Sequence, residues 1–394
     1  MRSAFWISLA VIVYTYAGYP VLMALLAKLR PRPWKRESLN KSVAIVMAVR
    51  NGEALLPWKI NHLLSIDPQY VAEIIFVSDG STDNTNELLR TISDPRAKFI
   101  LLPQQVGKAT ALNHGIAAAH SEILLFTDIR PEIQSGAIAS LVSNFADPRV
   151  GCVAGELIVR STKAHDATTQ NMGGLYWRYE QWMRNCEAAF DSPVGVYGGF
   201  YAARRALVSP APDGLILDDM FHPLNIIRQG YRSVVDRSAV VIDIWPASTG
   251  GEFRRKVRTL AGNFQLLTAA PWVLSFKNRV LFQLVSHKLL RLIVPYLFLL
   301  MLICSWTLGT HNIAWLITAA VLSLFVVVAA LSLRIQLPLV GRLVSAAGAL
   351  LLLNAAAVVA LYTALFTRGP LWKIWSPTSL AAPPLAFTNE RKSA

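Results

Sequence analysis

Four stretches of this chain, residues 3–27, 292–310, 312–333 and 343–367, contain no Asp, Glu, Lys or Arg. Each is near or above the roughly 20 apolar residues that cross a bilayer as a helix. Lipid offers no water to a bare backbone group, so such stretches are restricted to helices. The chain therefore reads as one N-terminal span, a long polar block and three further spans. Composition agrees, since only 16% of the 394 residues are charged, against about 25% in soluble proteins. Two other readings exist. The three C-terminal stretches could form one buried helical core. The first stretch could be a cleaved signal peptide, but it is long for one and no A-x-A site follows it.

The plan divides the chain into residues 1–30 (span and basic flank), 38–270 (one large polar domain), 271–291 (an interfacial amphipathic segment), 292–367 (three spans) and 368–394 (a tail). Lys28, Arg30, Arg32, Lys35 and Arg36 follow the first span. Basic flanks stay in the cytoplasm, which puts the polar domain on the cytoplasmic face, as at a bacterial inner membrane. The loop 334–342 carries both of its arginines on that same side. The tail conflicts with this plan: four spans place it outside, yet it carries Arg368, Lys373, Arg391 and Lys392. The net charge of +14 is not accompanied by a nucleic-acid-binding motif. Anionic membrane lipids explain it more simply. Cys152, Cys186 and Cys304 are odd in number and scattered, which implies neither a disulfide framework nor a metal knuckle.

Within the domain, short apolar runs alternate with helical ones. Strands are expected at 43–49, 74–77, 99–102 and 123–126, and helices at 55–65, 84–91, 108–119 and 135–145. That order predicts an α/β fold, a mostly parallel sheet flanked by helices. Ligands of such sheets bind at the carboxyl ends of the strands. Arg50, Asn51 and Glu53 follow the first run, Ser78, Asp79 and Asp83 the second, and Asp128 and Arg130 the fourth. Each alone is ordinary: Asp83 is a good helix cap, and residues 50–53 make a turn. Their convergence at one edge is the informative part. Neither G-x-G-x-x-G nor G-x-x-x-x-G-K-[ST] is present, so the dinucleotide fingerprint and the P-loop are both absent. Lys108 after Gly107 is still able to meet a phosphate as a point charge.

The ordered set Ala48-Val-Arg-Asn-Gly-Glu53, Ser78-Asp-Gly-Ser-Thr-Asp83, Gly107-Lys-Ala-Thr-Ala-Leu-Asn113 and Phe126-Thr-Asp128 resembles the motifs of family 2 glycosyltransferases with a GT-A fold. The resemblance continues in Gly198-Gly-Phe-Tyr-Ala-Ala-Arg-Arg205, Leu217-Asp-Asp219 and Arg254-Arg-Lys-Val-Arg258, and then in the spans. It implies an inverting hexosyltransferase using a nucleotide-sugar donor, a UDP-sugar foremost, to extend a glycan or lipid-linked acceptor. By the same resemblance Asp79 contacts the base, Asn51 and Glu53 lie at the donor, and Asp128 lies near ribose and diphosphate. Asp219 is implied as general base, with Asp218 orienting it or touching the acceptor. Arg255 and Arg258 align with a motif that closes over the donor.

The chain departs from the family at two places. Arg130 stands where a second aspartate usually binds Mg²⁺ or Mn²⁺, so that cofactor is put in doubt, and an arginine there would itself neutralise diphosphate. His222 and Asp128 remain as candidate metal ligands. Thr259 replaces the usual tryptophan, which weakens the case for processive synthesis. Trp177, Trp182 and Trp245 are alternative sugar platforms or core residues, and Gly173-Gly-Leu-Tyr-Trp-Arg-Tyr-Glu-Gln-Trp-Met-Arg184 is read as a helix beside the acceptor or packed on the sheet. Lys277, Arg279 and Lys288 are assigned to lipid headgroups. Two other functions stay open. One is a non-catalytic nucleotide-sugar-binding subunit of an export complex, motivated by Arg130. The other is a transporter, which charge-free spans argue against.

Overall fold

The computed structural model describes residues 1–160, 167–244, 249–332, 341–367 and 371. Helix α1 (Arg2–Val13) runs through a π-helical turn, Tyr14–Gly18, into α2 (Tyr19–Leu29). The domain follows in alternation: β1 (Val43–Val49), α3 (Leu56–Leu64), β2 (Val71–Asp79), α4 (Thr85–Arg90), β3 (Ala97–Leu102), α5 (Lys108–Ala118), β4 (Ile123–Thr127), β5 (Glu132–Ile133) and α6 (Ala137–Ser143). Its second half holds β6 (Val150–Arg160), α7 (Ala167–Phe190), β7 (Phe200–Arg204), α8 (Asp218–Arg228), β8 (Arg232–Ile244) and α9 (Thr249–Ala269). Helices α10 (Leu281–Gln283), α11 (Leu290–Gly309), α12 (Ile313–Ser332) and α13 (Gly341–Phe366) complete the chain.

All eight strands form one sheet in the order β3-β2-β1-β4-β7-β6-β8-β5. Strand β1 lies parallel to β2 and β4, β2 to β3, and β6 to β8. Strand β7 runs antiparallel to both β4 and β6, and β5 antiparallel to β8. The sheet is thus mixed, with a parallel half that carries the expected strands. Residues of β1 alternate between two cores: Val43, Ile45, Met47 and Val49 face one, Ala44 and Val46 the other. Leu56 and Leu63 of α3 with Leu141 of α6 cover the first face, and Leu112 of α5 with Ile226 of α8 cover the second. Burial on both faces explains why these strands read as unbroken apolar runs. Because β7 is reversed, its amino end meets the carboxyl end of β4, with Thr127 opposite Phe200. The loops after β1, β2 and β4, the carboxyl end of β8 and the Gly198-Gly199 turn therefore share one edge.

Among the described residues, four helices are long and apolar enough to cross a membrane: Arg2–Leu29, Leu281–Gly309, Ile313–Leu331 and Ala347–Phe366. The second starts at Leu281, inside the segment expected to lie flat at the interface. Its polar residues are consumed by the domain. His287 Nδ1 lies 2.7 Å from Glu187 Oε1, Lys288 Nζ lies 3.3 Å from Glu180 Oε2, and Arg291 pairs with Glu180. Lys288 is therefore not a lipid contact. Arg279 is not one either, since its Nε lies 3.2 Å from Asp191 and its Nη1 donates to the Gly230 carbonyl. Buried carboxylates outcompete headgroups for both side chains. Lys277 is exposed beside Phe276, which is 99% exposed. Helix α9 packs on α13 through Val257, Ala261, Ala356 and Ala360, so the spans and the domain share a core. The tail and Trp245 lie outside the described residues, apart from Leu371.

Candidate active site

The loops after β1 and β2 are laced together. Asn51, at a φ of 49°, accepts the Thr82 N–H at 2.9 Å, and Glu53 accepts the Asn84 N–H at 3.0 Å. Asp83 accepts from the backbone of Glu53 at 3.1 Å and of Thr85 at 3.0 Å. Burial pushes the Asp83 pKa up, but these hydrogen bonds outweigh it and leave the carboxyl below its usual range. Asp83 thus supports the loop, and the residue at the cap position of α4 is Asn84. Asn51 and Glu53 were expected at the donor, and here their side-chain oxygens brace that same loop instead.

Asp79, buried at the end of β2, accepts N–H groups from Val106 at 2.7 Å and Gly107 at 3.0 Å. It fixes the loop that leads into Lys108 at the start of α5. Gly80 makes the turn possible: its φ is +59°, and an added Cβ would lie 2.3 Å from the backbone nitrogen of Gln105.

Lys108 gathers the acids. Its Nζ lies 2.9 Å from Asp128 Oδ1 and 3.7 Å from Asp218 Oδ2. Burial opposes the ammonium charge, yet Asp128 and Asp218 hold its pKa above the ordinary lysine value. Asp218 and Asp219 open α8, where the helix dipole favours negative charge. Asp218 is buried and Asp219 partly exposed. Burial and then the Asp218 carboxylate raise the Asp219 pKa well above the usual carboxylate range, and Lys108 and Arg184 offset part of this. Exposure to solvent moderates the rise. Gly198 permits the approach, since a Cβ there would lie 2.9 Å from Asp219 Oδ2. Arg258 of α9 is half-buried and feels Asp218, Asp128 and Asp219 together, which oppose the lowering of its pKa by burial. Arg255 lies one turn earlier, where its carbonyl accepts the Thr259 hydroxyl.

Sequence reasoning missed two residues beside Asp128. Asp243, 1% exposed at the end of β8, accepts from Arg130 Nη2 at 3.1 Å and from the Tyr197 hydroxyl at 3.3 Å. Arg130 therefore has a buried carboxylate as partner. Lys59 of α3 is wholly buried and donates to the Pro131 carbonyl at 2.6 Å and to Thr127 Oγ1 at 3.5 Å. Burial lowers its pKa to about 7, against the pull of Asp128, Asp243 and Glu132. One turn on, His62 accepts the Ile133 N–H at 3.0 Å. Helix α3 thus grips both ends of the segment that presents Asp128 and Arg130. A signal for Lys59 existed, because it shares a helical face with apolar Leu56, Ile60 and Leu63.

Residues 44–209 match the family Glycosyl transferase family 2. This chain carries a family 2 glycosyltransferase domain. The poly-beta-1,6-N-acetyl-D-glucosamine synthase of Staphylococcus aureus (strain COL) is 24% identical over 285 residues, covering 68% of each chain. The synthase of the same name from Staphylococcus epidermidis is 24% identical over 259 residues, 62% of this chain and 61% of its own. Among solved structures, the mannosyltransferase PcManGT from Pyrobaculum calidifontis, in complex with GDP-Man and Mn²⁺, superposes with a TM-score of 0.68 at 20% identity. That superposition covers 92% of this chain and 99% of the other, so the likeness of fold extends to the apolar helices.

The glycosyltransferase domain fits a protein-held metal ion poorly. Among the described residues no group of three or more His, Cys, Asp or Glu side chains is placed to hold one. Asp128 is paired with Lys108, the position two residues on is Arg130, and His222 Nδ1 is taken by the Tyr201 hydroxyl at 2.8 Å. The expected ligands Asp128 and His222 do not form such a group. Trp177 donates to the Leu157 carbonyl at 3.0 Å and packs edge-on to Tyr197, a core placement, while Trp182 is 43% exposed.

Proposed function

We propose that this protein is a membrane-bound inverting glycosyltransferase. It moves a sugar from a nucleoside diphosphate sugar, a UDP-sugar first among them, to a hydroxyl of a glycan or lipid-linked acceptor at the cytoplasmic face. The observation that carries this reading is the setting of Asp219: a partly exposed carboxylate at the head of α8, with a raised pKa, beside Asp218, which itself lies 3.7 Å from Lys108. A group like that is poised to take a proton near neutral pH.

The acceptor oxygen attacks the anomeric carbon as the bond from that carbon to the phosphate oxygen breaks. The acceptor proton goes to Asp219, and the nucleoside diphosphate leaves with the bonding pair. Lys108, Arg258 and Arg130 take the charge that develops on the leaving group, as preorganised cations at a developing anion do. Asp79 retains lone pairs beyond those used by residues 106 and 107, and these receive the N–H of a pyrimidine base. The spans hold the domain where a lipid-linked or growing acceptor arrives.

The test is transfer from a panel of labelled nucleotide sugars by membranes containing the protein. Because the relatives named above are poly-beta-1,6-N-acetyl-D-glucosamine synthases, an N-acetylglucosamine donor is tried first in that panel. Asp219→Asn should lose transfer by about 10²- to 10⁴-fold and keep donor affinity, because a general base acts in the transition state. Equal turnover by the mutant would remove Asp219 from this role.

A further inference from the structure

His222 lies one helical turn after Asp218 on α8, so the two side chains share a face. Both are buried, at 1% and 2% exposure. The imidazole leans on Phe126, which stacks on Tyr201 at 4.6 Å. Its Nδ1 lies 2.8 Å from the Tyr201 hydroxyl. Its Nε2 and Asp218 Oδ2 are both buried without a hydrogen-bond partner among the described residues. Asp218 Oδ2 has only the longer ion pair with Lys108, at 3.7 Å.

Hydrogen-bond counting fixes the tautomer. If Nδ1 carried the proton, the buried Tyr201 hydroxyl hydrogen would be stranded whatever a water did at Nε2. If the hydroxyl donates to Nδ1, one group is left over, an Nε2–H donor. Burial keeps the ring neutral by lowering its pKa to about 4. An orphan donor thus sits one turn from an orphan carboxylate oxygen. Buried polar groups of native proteins are nearly always satisfied, often through one ordered water.

We propose that His222 is a positioning residue whose Nε2–H holds the Asp218 carboxylate through one bridging water, so that a chain from Tyr201 through His222 to Asp218 fixes the acidic pair at the head of α8. Tyr201 anchors the imidazole to the sheet, the imidazole anchors Asp218, and Asp218 then sets the distance between Lys108 and the proton acceptor. The inference rests on Asp219 being the general base.

The test uses the full-length protein and the nucleotide-sugar transfer assay. His222→Gln keeps an amide nitrogen near the Nε2 position, whereas His222→Asn keeps one only near Nδ1. His222→Gln should stay within about threefold of wild type, and His222→Asn should lower kcat by about 10- to 100-fold at an unchanged donor KM, as loss of one hydrogen bond to a charged group predicts. In an Asp218→Ala background, His222→Asn should cost nothing further, since the contact is already gone. Additive losses would overturn the proposal, as would equal effects of Gln and Asn, including failure of both to fold. Failure of the underlying reading looks different: Asp219→Asn would transfer as well as wild type, and the inference would fall with it.

Discussion

Arg130 Nη2 lies 3.1 Å from Asp243 Oδ2, joining the turn after β4 to the end of β8. The arginine is 34% exposed and the carboxylate 1%. One edge of the guanidinium is thus spent on orientation. On the proposed reading the rest meets the diphosphate, so removing the arginine takes one partner from buried Asp243 and one contact from the donor. Arg130→Ala should therefore slow transfer about a hundredfold and lower the melting temperature. The double variant Arg130→Ala/Asp243→Asn separates the two effects. It should recover stability, because the buried negative charge that Arg130 offset is gone, but not transfer. Recovery of transfer in the double variant would confine Arg130 to serving Asp243.

The donor set around Asp128 also predicts how the enzyme responds to metal removal. With Asp128 already paired with Lys108, and with Lys108, Arg130 and Arg258 proposed to meet the diphosphate, transfer should persist in chelator. Arg130→Asp should make it depend on added Mn²⁺ or Mg²⁺, because the change restores a ligand and removes a positive charge. Complete loss of wild-type transfer in chelator, recovered by Mn²⁺, would refute this.

Asp219 predicts the pH profile. Burial and the neighbouring Asp218 charge raise its pKa, so the deprotonated base is lost as pH falls through a value well above the ordinary carboxylate range. The acidic limb of kcat/KM should therefore lie nearer neutrality than pH 4. Asp218→Asn removes the like charge and stabilises the Asp219 anion, so its limb should move to lower pH. A limb that stays in place, or moves up, would detach the profile from this pair.

Lys59 is wholly buried, and it holds the segment that carries Asp128 and Arg130, proposed here to meet the donor. Lys59→Met keeps the packing volume but deletes the hydrogen bond to the Pro131 carbonyl. It also leaves the acids around Asp128 less compensated. A charged hydrogen bond contributes about 1.5–3 kcal/mol, so donor KM should rise roughly tenfold or more. Nucleoside diphosphate titration and steady-state kinetics check this. An unchanged KM would mean that His62 alone holds the segment.

Much of this site was legible because its strands are buried on both faces. An apolar run such as Val43–Val49 or Ile123–Thr127 ends abruptly in polar residues, and a parallel sheet gathers those ends. The second half of the sheet was not legible. Strand β6 contains Gly151, Gly155 and Glu156, β7 has only five residues, and their order depends on long-range antiparallel pairing. Asp243 has no local signal: it is one of two acids in β8, and its meaning appears only with Arg130, 113 residues away. The same holds for Asn51 and Glu53, whose partners come from the next loop. Basic residues misled in the opposite sense. Arg279 and Lys288 lie in a lipid-facing sequence context, but buried acids claim them.

Those buried acids lead to the last prediction. Glu187 Oε1 receives the Tyr19 hydroxyl at 2.6 Å and faces His287 Nδ1 at 2.7 Å. His287 Nε2 faces Glu180 Oε2 at 3.2 Å, so both ring nitrogens meet carboxylates. Three elements distant in sequence are tied here: α2, α7 and the span that begins at Leu281. All of these groups are buried, and breaking a buried pair costs about 3–5 kcal/mol because a charge is left behind. Glu187→Ala should destabilise the protein by that order in detergent melting. His287→Ala should do the same, and the double variant should cost less than the sum, because the stranded partner is then absent. Glu187→Gln should recover part of the loss by keeping an acceptor for Tyr19. Additive penalties, or a Glu187→Ala variant that melts like wild type, would show that the spans dock on the domain through their apolar faces alone.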